Sequence, residues 1–353
     1  MITRKKTRQI LVRDVPIGNG APVVVQSMTN TPTEDVEATL AQIAKLVGAG
    51  CKIVRIAVPG KDAAAAFANI RKGTQVPLVA DIHFQHELAV AAIEAGADKV
   101  RINPGNIGSP DRVKKVVDAA KAANIPLRIG VNAGSLEKAL LKKHGGPTPQ
   151  ALVESALGFI RMMESFSFDN IILSIKASDV LATIEACRLL SAATDYPQHI
   201  GITESGTLRT GTIRSSVGIG ALLAEGIGDT LRVSLCSDPV NEVHAGIEIL
   251  KSLSLAKGPV VIACPTCGRT QIDVVALAEK VEAMVSPLSA PIKIAVMGCV
   301  VNGPGEAADA DLGIAGGRHE GQIFVKGKMV EKVPEEKLLE VLWGYVKKIT
   351  DGK

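Results

Sequence analysis

Short apolar stretches alternate with longer amphipathic stretches along about the first 255 residues of the chain. The short stretches are rich in β-branched residues, which favour strands, and the longer ones repeat apolar residues at the spacing of a helix face. The eight short stretches are 23–28, 53–58, 78–83, 100–104, 127–132, 171–178, 199–205 and 230–235. Eight alternating strand and helix units predict an α/β fold, an N-terminal (β/α)8 TIM barrel over residues 1–255.

An open, doubly wound sheet is the alternative architecture for this alternation. Such a sheet more often has about six strands and carries a glycine-rich turn after the first one. No G-x-G-x-x-G motif follows the stretch 23–28. The segment 8–22 predicts a β-hairpin ahead of the barrel, placed to plug its lower end.

The pattern changes after residue 259 and predicts a second domain. Two apolar strands, 260–263 and 292–298, are separated by an amphipathic helix over 271–285, and a second helix is predicted over 334–349. We therefore expect a small α+β domain over residues 256–353.

Composition excludes several classes of function. Hydrophobic residues make up 46% of the chain, which indicates a large core, and the net charge of +4 with only 3% aromatic residues disfavours a nucleic-acid partner. No apolar run reaches the ~18 residues of a membrane span, and the N-terminus lacks the apolar core of a signal peptide. We expect a cytoplasmic protein, in which clustered cysteines more often bind metal than form disulfides.

Polar and charged residues stand at the ends of the predicted strands, where TIM barrels place their chemistry. They are Gln26, Ser27, Arg55, Asp81, His83, Arg101, Asn103, Arg128, Asn132, Lys176, Glu204, Arg232 and Ser234. Five strands thus contribute a fixed cation, and few carboxylates accompany them. Buried cations are costly without an anion, and guanidinium groups suit phosphate oxygens. The pattern predicts a small polyanionic substrate, a phosphate or diphosphate ester.

Three of these residues keep alternative roles. His83 is a candidate ligand-binding residue or proton donor, or a structural hydrogen-bonding residue. Glu204 is either a general acid or a partner for Arg232. Lys176 also suits a Schiff-base lysine.

The second domain contains three cysteines and a glutamate in the spacing C-x2-C-x31-C-x6-E. They are Cys264, Cys267, Cys299 and Glu306. If the strands before Cys264 and Cys299 are neighbours, three thiolates converge at one sheet edge. Zinc is the alternative ligand of a C-x-x-C motif, but no second C-x-x-C follows and His319 is distant. We expect a 4Fe-4S cluster with three thiolate ligands and Glu306 as an exchangeable oxygen ligand on the fourth iron.

Other functions fit parts of this pattern. A lysine-dependent aldolase could use Lys176 beside a structural zinc domain, and a dihydropteroate-synthase-like transferase also combines a phosphate pocket with Lys and Arg. A non-enzymatic alternative is an electron-carrier or zinc-binding module joined to a degenerate barrel. The transferase leaves the cysteine domain unexplained, and a degenerate barrel need not retain its charged rim.

Long motifs across nearly the whole chain resemble one family. They are VVVQSMTNT (23–31), ADIHF (80–84), VRINPGNIG (100–108), GVNAGSL (130–136), GITESGT (201–207), GTIRSSVGIGALLAEGIGDTLRVSL (211–235), CPTCGRT (264–270) and MGCVVNGPGEA (297–307). The sequence resembles the bacterial 4-hydroxy-3-methylbut-2-en-1-yl diphosphate synthases of the methylerythritol phosphate pathway.

The resemblance implies an iron-sulfur oxidoreductase of isoprenoid precursor biosynthesis. Its reaction is reductive ring opening and dehydroxylation of 2-C-methyl-D-erythritol 2,4-cyclodiphosphate, with reduced flavodoxin or ferredoxin as electron donor. It implies a 4Fe-4S cluster on the three cysteines and Glu306, an active-site acid at Glu204, and a homodimer that shares each site between subunits. The diphosphate-binding positions that it implies are Arg55, His83, Arg101, Arg128, Asn132, Lys176, Arg232 and Ser234.

Overall fold

A computed structural model describes residues 2–300, 305 and 308–351 of the chain. It divides into two compact units, Met1–Ala256 and Lys257–Lys353. Glu306, predicted as a cluster ligand, lies outside the described residues.

The first unit is built on an eight-stranded parallel sheet that curls into a nearly closed barrel, so the predicted TIM barrel is confirmed. The strands pair in the order β8-β7-β6-β5-β4-β3-β10-β9, and a single bridge between Leu173 and Gln198 links the two ends. The strands are β3 (Val24–Met28), β4 (Ile53–Ala57), β5 (Leu78–Asp81), β6 (Lys99–Ile102), β7 (Leu127–Asn132), β8 (Ile171–Lys176), β9 (His199–Ile200) and β10 (Thr230–Leu231).

Helices follow the strands along the chain, and their apolar faces pack against the outside of the sheet. In α5, for example, Val113, Val116, Val117 and Ala120 are buried at helical spacing. The helices are α1 (Val36–Gly48), α2 (Lys61–Lys72), α3 (His86–Glu94), α4 (Pro104–Ile107), α5 (Pro110–Ala122), α6 (Lys138–His144), α7 (Pro149–Ser165), α8 (Val180–Ala193), α9 (Leu208–Ala224) and α10 (Pro239–Ser252).

The predicted hairpin forms from β1 (Ile10–Val12) and β2 (Val15–Ile17), which pair antiparallel. Its buried residues join one apolar cluster with residues from the barrel strands; the members are Ile10, Val12, Ile17, Val24, Ile53, Val79 and Ile172. Val24, Ile53 and Val79 lie in the N-terminal halves of their strands, so the hairpin contacts the end of the barrel opposite the predicted mouth.

Strands β9 and β10 are much shorter than predicted. Their ladder ends at Ile200 and Leu231, although the Arg232 N–H still donates to the Ile200 carbonyl at 3.1 Å. The polar residues that follow, including Glu204 and Ser234, are therefore carried on loops. The apolar run at 199–205 indicates burial, and it does not distinguish a strand from a buried loop.

The second unit contains a five-stranded mixed sheet in the order β11-β12-β13-β14-β15. The strands are β11 (Val260–Ala263), β12 (Lys293–Met297), β13 (Leu312–Gly317), β14 (Glu320–Val325) and β15 (Lys328–Pro334), and the helices are α11 (Val274–Val285) and α12 (Leu338–Asp351). Strands β11, β12 and β13 are parallel neighbours, whereas β14 and β15 are antiparallel. This agrees with the predicted α+β architecture.

None of the helices in the described part of the chain combines the length and the apolar character needed to cross a bilayer.

Candidate active site

The mouth of the barrel is organised around Asp81, the last residue of β5. Its carboxylate lies 3.2 Å from Arg101 Nη1, 3.4 Å from His83 Nε2 and 3.8 Å from Arg55 Nε. Burial alone would raise the pKa of Asp81, but the Arg55 guanidinium, His83 and Arg101 hold it far below its usual value. Three strand-end residues predicted from sequence are thus gathered on one carboxylate.

Arg128, on β7, is a buried arginine whose guanidinium group has two nitrogens without hydrogen-bond acceptors in the described chain. Its side chain is 2% exposed, and neither Nε nor Nη1 meets an acceptor among the described residues. Burial, followed by repulsion from Arg55 and Arg101, lowers the pKa of Arg128 well below its ordinary value. Two buried N–H donors without acceptors are destabilising unless a ligand supplies the oxygens.

Arg55 and Arg101 are the other two arginines around Asp81. Burial lowers the pKa of Arg55 to about 10, although Asp81 opposes that effect. Arg101 Nε has no acceptor in the described chain, and a side chain at Gly130 would lie within 2.8 Å of that nitrogen. Oriented with its oxygen toward the guanidinium, the Asn132 amide accepts from Arg101 Nη2 at 3.1 Å. Glycine at 130 therefore makes room for Arg101.

Lys99 is a buried cation that the sequence analysis missed. It is the first residue of β6, it is fully buried, and its Nζ donates to Gln26 Oε1 at 3.3 Å. Burial, then Arg128 and Arg55, lower the pKa of Lys99 well below its ordinary value. The residue was overlooked because it stands at the beginning of its strand, away from the predicted mouth.

Asn103 has a local structural role. Its side-chain oxygen accepts from the Gly105 N–H at 3.1 Å and its amide donates to Ser135 Oγ at 2.8 Å. These bonds cap the short helix α4 and tie it to the loop after β7. The predicted role of Asn103 in substrate binding stays a prediction.

Arg232 is paired with Glu242, a residue of α10 that the sequence analysis did not select. Glu242 accepts from Arg232 Nε at 3.1 Å and Nη2 at 3.0 Å, and also from Ser27 Oγ and the Leu235 N–H, each at 2.9 Å. The alternative that Glu204 pairs with Arg232 is therefore not what the structure shows. Arg232 directly follows β10 and Glu242 lies on α10, so their pairing depends on the path of the chain between these two elements.

Glu204 lines a cavity of about 300 Å³ together with Arg232, Ser234, Cys236 and Glu242. Its φ of +51° places a non-glycine residue in the left-handed region, which costs about 1–2 kcal/mol. Ser205 donates from its hydroxyl to the Ser234 carbonyl, so the loops that carry Glu204 and Ser234 are joined. Such backbone conformations occur where the surrounding structure holds a functional side chain in place.

Lys176 ends β8 and is 8% exposed. Its Nζ lies 3.4 Å from His199 Nε2, and it forms no ion pair among the described residues. Burial, then repulsion from Arg128, Arg232 and Arg55, lower the pKa of Lys176 well below its usual value.

The cysteines of the second unit lie in loops after two paired strands. Strands β11 and β12 are parallel and in register, with Ala263 opposite Val296, so Cys264 and Cys299 follow at the same sheet edge. The Gly298 N–H donates to Cys264 Sγ at 3.1 Å. Hydrogen bonds from the Arg269 backbone N–H and then its guanidinium lower the pKa of Cys267. The donors present therefore suit thiolate ligands.

The described residues nevertheless contain no set of three or more His, Cys, Asp or Glu side chains close enough to hold a metal ion. Cys264 is half-buried, Cys267 is exposed and Cys299 is buried. Cys51 and Cys187 are buried in the barrel, and burial raises the pKa of their thiols to about 11 and about 12. The chemistry of the loop cysteines fits a cluster, whereas their side-chain positions do not enclose one.

Comparisons with known proteins identify the family. The GcpE TIM-barrel domain matches residues 7–247, and the GcpE protein C-terminal domain matches residues 260–348. Two relatives are named 4-hydroxy-3-methylbut-2-en-1-yl diphosphate synthase (flavodoxin). The one from Caldanaerobacter subterraneus is 57% identical over 98% of each chain. The one from Maridesulfovibrio salexigens is 58% identical over 96% of this chain and 95% of its own.

Among solved structures, dihydropteroate synthase from Stenotrophomonas maltophilia aligns with a TM-score of 0.49 and 17% identity, over 70% of this chain and 97% of its own. The family assignment rests instead on the two domain matches and the near full-length identities above. The chain belongs to the GcpE family of 4-hydroxy-3-methylbut-2-en-1-yl diphosphate synthases.

Proposed function

We propose that this chain performs the reductive ring opening and dehydroxylation of 2-C-methyl-D-erythritol 2,4-cyclodiphosphate to 4-hydroxy-3-methylbut-2-enyl diphosphate. The near full-length identity to enzymes named for this product supports the reaction. The observation that carries it is the surplus of buried cations in the barrel. Arg55, Arg101 and Arg128 surround the Asp81 carboxylate, and Arg101 and Arg128 retain N–H groups without acceptors in the described chain.

A cyclic diphosphate supplies the acceptors that this mouth needs. Among the described residues, the guanidinium nitrogens near Asp81 that lack an acceptor are Arg128 Nε and Nη1 and Arg101 Nε, and planar guanidinium groups bind phosphate oxygens with fixed geometry. Binding of the diphosphate would also relieve the mutual repulsion of Arg55, Arg101, Arg128 and Lys176. In this proposal His83, Asn103, Asn132, Arg232 and Ser234 complete the substrate-binding set.

Glu204 is the proposed active-site acid. It lines the cavity that Arg232 and Ser234 also line. The backbone of Glu204 itself is in the left-handed conformation, which helps to set the position of its carboxyl group. The reaction breaks the ring C–O bond, whose diphosphate oxygen leaves as an anion, and the C–O bond of the hydroxyl, and it forms one C=C bond. It consumes two electrons, from the electron donor, and one proton, which converts the departing hydroxide to water. In our proposal the Glu204 carboxyl group delivers or orients a proton for that oxygen.

The second unit is the proposed site of a 4Fe-4S cluster, with Cys264, Cys267, Cys299 and Glu306 as ligands. When bound, such a cluster supplies one-electron transfers and an iron that can exchange its oxygen ligand, which protein side chains cannot do. Hydrogen bonds from Arg269 lower the pKa of Cys267 and so favour the thiolate form that iron requires, and the Gly298 N–H donates to Cys264 Sγ. Residues 1–255 would then bind substrate and residues 256–353 the cluster.

Flavodoxin is the proposed electron donor because the relatives' name includes it; ferredoxin is the alternative. A homodimer with each site shared between subunits is part of the proposal, as is a cytoplasmic location, where thiols remain reduced.

Turnover by protein purified without oxygen tests the function. With the cyclodiphosphate and reduced flavodoxin, we expect phosphorus-31 NMR to show conversion of the cyclic diphosphate into a linear diphosphate ester. Arg128→Met should abolish conversion at low substrate concentration, whereas Lys114→Met, which removes an exposed lysine that pairs with Asp118, should not. Absence of conversion by cluster-containing wild-type protein would refute the proposal.

A further inference from the structure

Lys176 and His199 form a polar contact inside the barrel that the proposed reaction does not yet use. Lys176 ends β8 and His199 begins the neighbouring strand β9. Their side-chain nitrogens, Nζ and Nε2, are 3.4 Å apart, and His199 is only 1% exposed. The other ring nitrogen, Nδ1, lies 2.6 Å from Thr230 Oγ1 on β10. Three adjacent strands thus contribute to one chain of hydrogen bonds.

The surroundings of His199 keep its ring neutral. Its pKa falls well below the usual value because of burial, followed by repulsion from Lys176, Arg128, Lys99 and Arg55. A neutral ring has one N–H and one acceptor nitrogen. Since Lys176 Nζ is the donor on one side, Nε2 accepts and the proton resides on Nδ1, which donates to Thr230 Oγ1.

A second observation shows that the barrel makes room for the Lys176 amino group. A Cβ atom at residue 201 would lie 2.6 Å from Lys176 Nζ and would collide with the Arg232 carbonyl. Gly201 therefore leaves open the place that Nζ occupies. The side chain is confined on one side by Gly201 and on another by His199.

We propose that His199 is a positioning residue, whose neutral Nε2 accepts a hydrogen bond from Lys176 Nζ and holds that group among Arg55, Arg128 and Arg232 for an incoming diphosphate. The inference deepens the proposed function and rests on it. A neutral acceptor fixes the amino group without cancelling its charge, whereas a carboxylate in the same position would compete with the substrate anion.

Charge determines how the contact depends on pH. Burial is the largest influence on the pKa of Lys176 and lowers it. Among the neighbouring groups, Arg128, Arg232 and Arg55 lower that pKa further, and Cys187 on α8 raises it. An acceptor at Nε2 stabilises the ammonium form, so loss of that acceptor lowers the pKa further. Diphosphate affinity should then decline with rising pH sooner in a variant without the acceptor than in the wild type.

The test is calorimetric binding of inorganic diphosphate to the cluster-containing protein, prepared without oxygen, between about pH 6.5 and 8.5. His199→Phe keeps the ring volume and removes the acceptor, and His199→Gln retains an acceptor oxygen. Lys176→Met removes the amino group. His244→Phe, at an exposed position of α10, is the matched control.

We expect His199→Phe to bind diphosphate roughly ten-fold to a hundred-fold more weakly, as for loss of a hydrogen bond to a charged group, with the larger loss at high pH. His199→Gln should regain most of that affinity, and His244→Phe should match the wild type. If His199→Phe does not fold, Thr230→Val, which removes the partner of Nδ1, should still weaken binding and steepen its pH dependence.

Other outcomes would overturn the inference in distinguishable ways. Equal affinities for wild type and His199→Phe at both ends of the pH range, with Lys176→Met impaired, would remove His199 from the site and leave the proposed function intact. Equal losses in the Gln and Phe variants, with unchanged pH dependence, would make His199 purely structural. Failure of the wild type to bind diphosphate would instead contradict the proposed function.

Discussion

The barrel mouth and the cysteine loops both follow parallel strands, but they differ in how closely their side chains are held together in the absence of a ligand. At the mouth, Asp81 holds His83 and Arg101 within 3.4 Å, and Glu242 holds Arg232 by two hydrogen bonds. In the second unit, the described thiols are not gathered tightly enough to enclose a metal. Contacts between buried residues of the barrel thus fix the mouth, whereas in our proposal the cluster itself brings the thiolates of the second unit together.

The energetic basis of that difference is burial. Arg128 and Lys176 are 2% and 8% exposed, so neighbouring strands fix their positions before substrate arrives. Cys267 is exposed and held by hydrogen bonds within its own turn, including its N–H to Thr270 Oγ1 at 3.1 Å. A turn of this kind can adjust its thiolate to a metal at small cost.

The largest predicted effect is on the cysteines. Cys267→Ala should remove a thiolate ligand and lower turnover more than about a hundred-fold, because the proposed cluster in the second unit needs its complete ligand set to transfer electrons. Diphosphate affinity of the barrel should be unchanged. Iron analysis and calorimetry check the two halves of this prediction, with Cys51→Ala as the control that retains iron. If Cys267→Ala loses both iron and diphosphate binding, the two sites are not independent in the way described.

The next effect concerns the unpartnered guanidinium. Arg128→Met should weaken diphosphate binding by about a hundred-fold, since charge-assisted hydrogen bonds contribute about 1.5–3 kcal/mol each. The same variant should be as stable as the wild type or more stable by about 1–4 kcal/mol, because a poorly paired buried charge is replaced by an apolar group. Thermal unfolding without ligand measures stability. Loss of stability together with unchanged affinity would assign Arg128 a structural role.

A smaller effect on substrate binding is expected from Glu242, which positions Arg232 through an ion pair. Glu242→Gln keeps the shape of the side chain and removes the charge paired with Arg232, so KM should rise roughly ten-fold while kcat changes less. Glu248→Gln on the same helix, where the carboxylate pairs with Lys251 at 2.6 Å, is the matched control. A fall in kcat with constant KM would show that Glu242 acts in the chemical step and not in binding.

The smallest effect is on pH dependence. The pKa of Lys176 is lowered, so its charged form predominates below that pKa and is lost as pH rises through it. Diphosphate affinity of the wild type should therefore decline with rising pH before an ordinary lysine, at about 10.4, would titrate. Lys176→Met should show a flatter profile. An unchanged slope in that variant would mean that another group titrates.

Much of the fold could be predicted because strand and helix periods are local properties of the sequence. The same periodicity located Asp81 and Arg101 near the ends of β5 and β6. The structure brings them together with Arg128, which was predicted at a strand end but is the second residue of β7. The periodicity could not reveal that Glu242 reaches Arg232 from the following helix, because that pairing depends on the path of the loop. The periodicity also did not indicate Lys99 and His199, because both stand at the beginnings of their strands, where no functional residue was expected.

The proposed 4Fe-4S cluster is tested by measuring iron and acid-labile sulfide per chain on protein purified without oxygen. We expect about four of each, with a broad thiolate-to-iron absorption band from the ligands in the second unit. Zinc near one per chain without sulfide would contradict it, because zinc can provide no electrons for a reductive step.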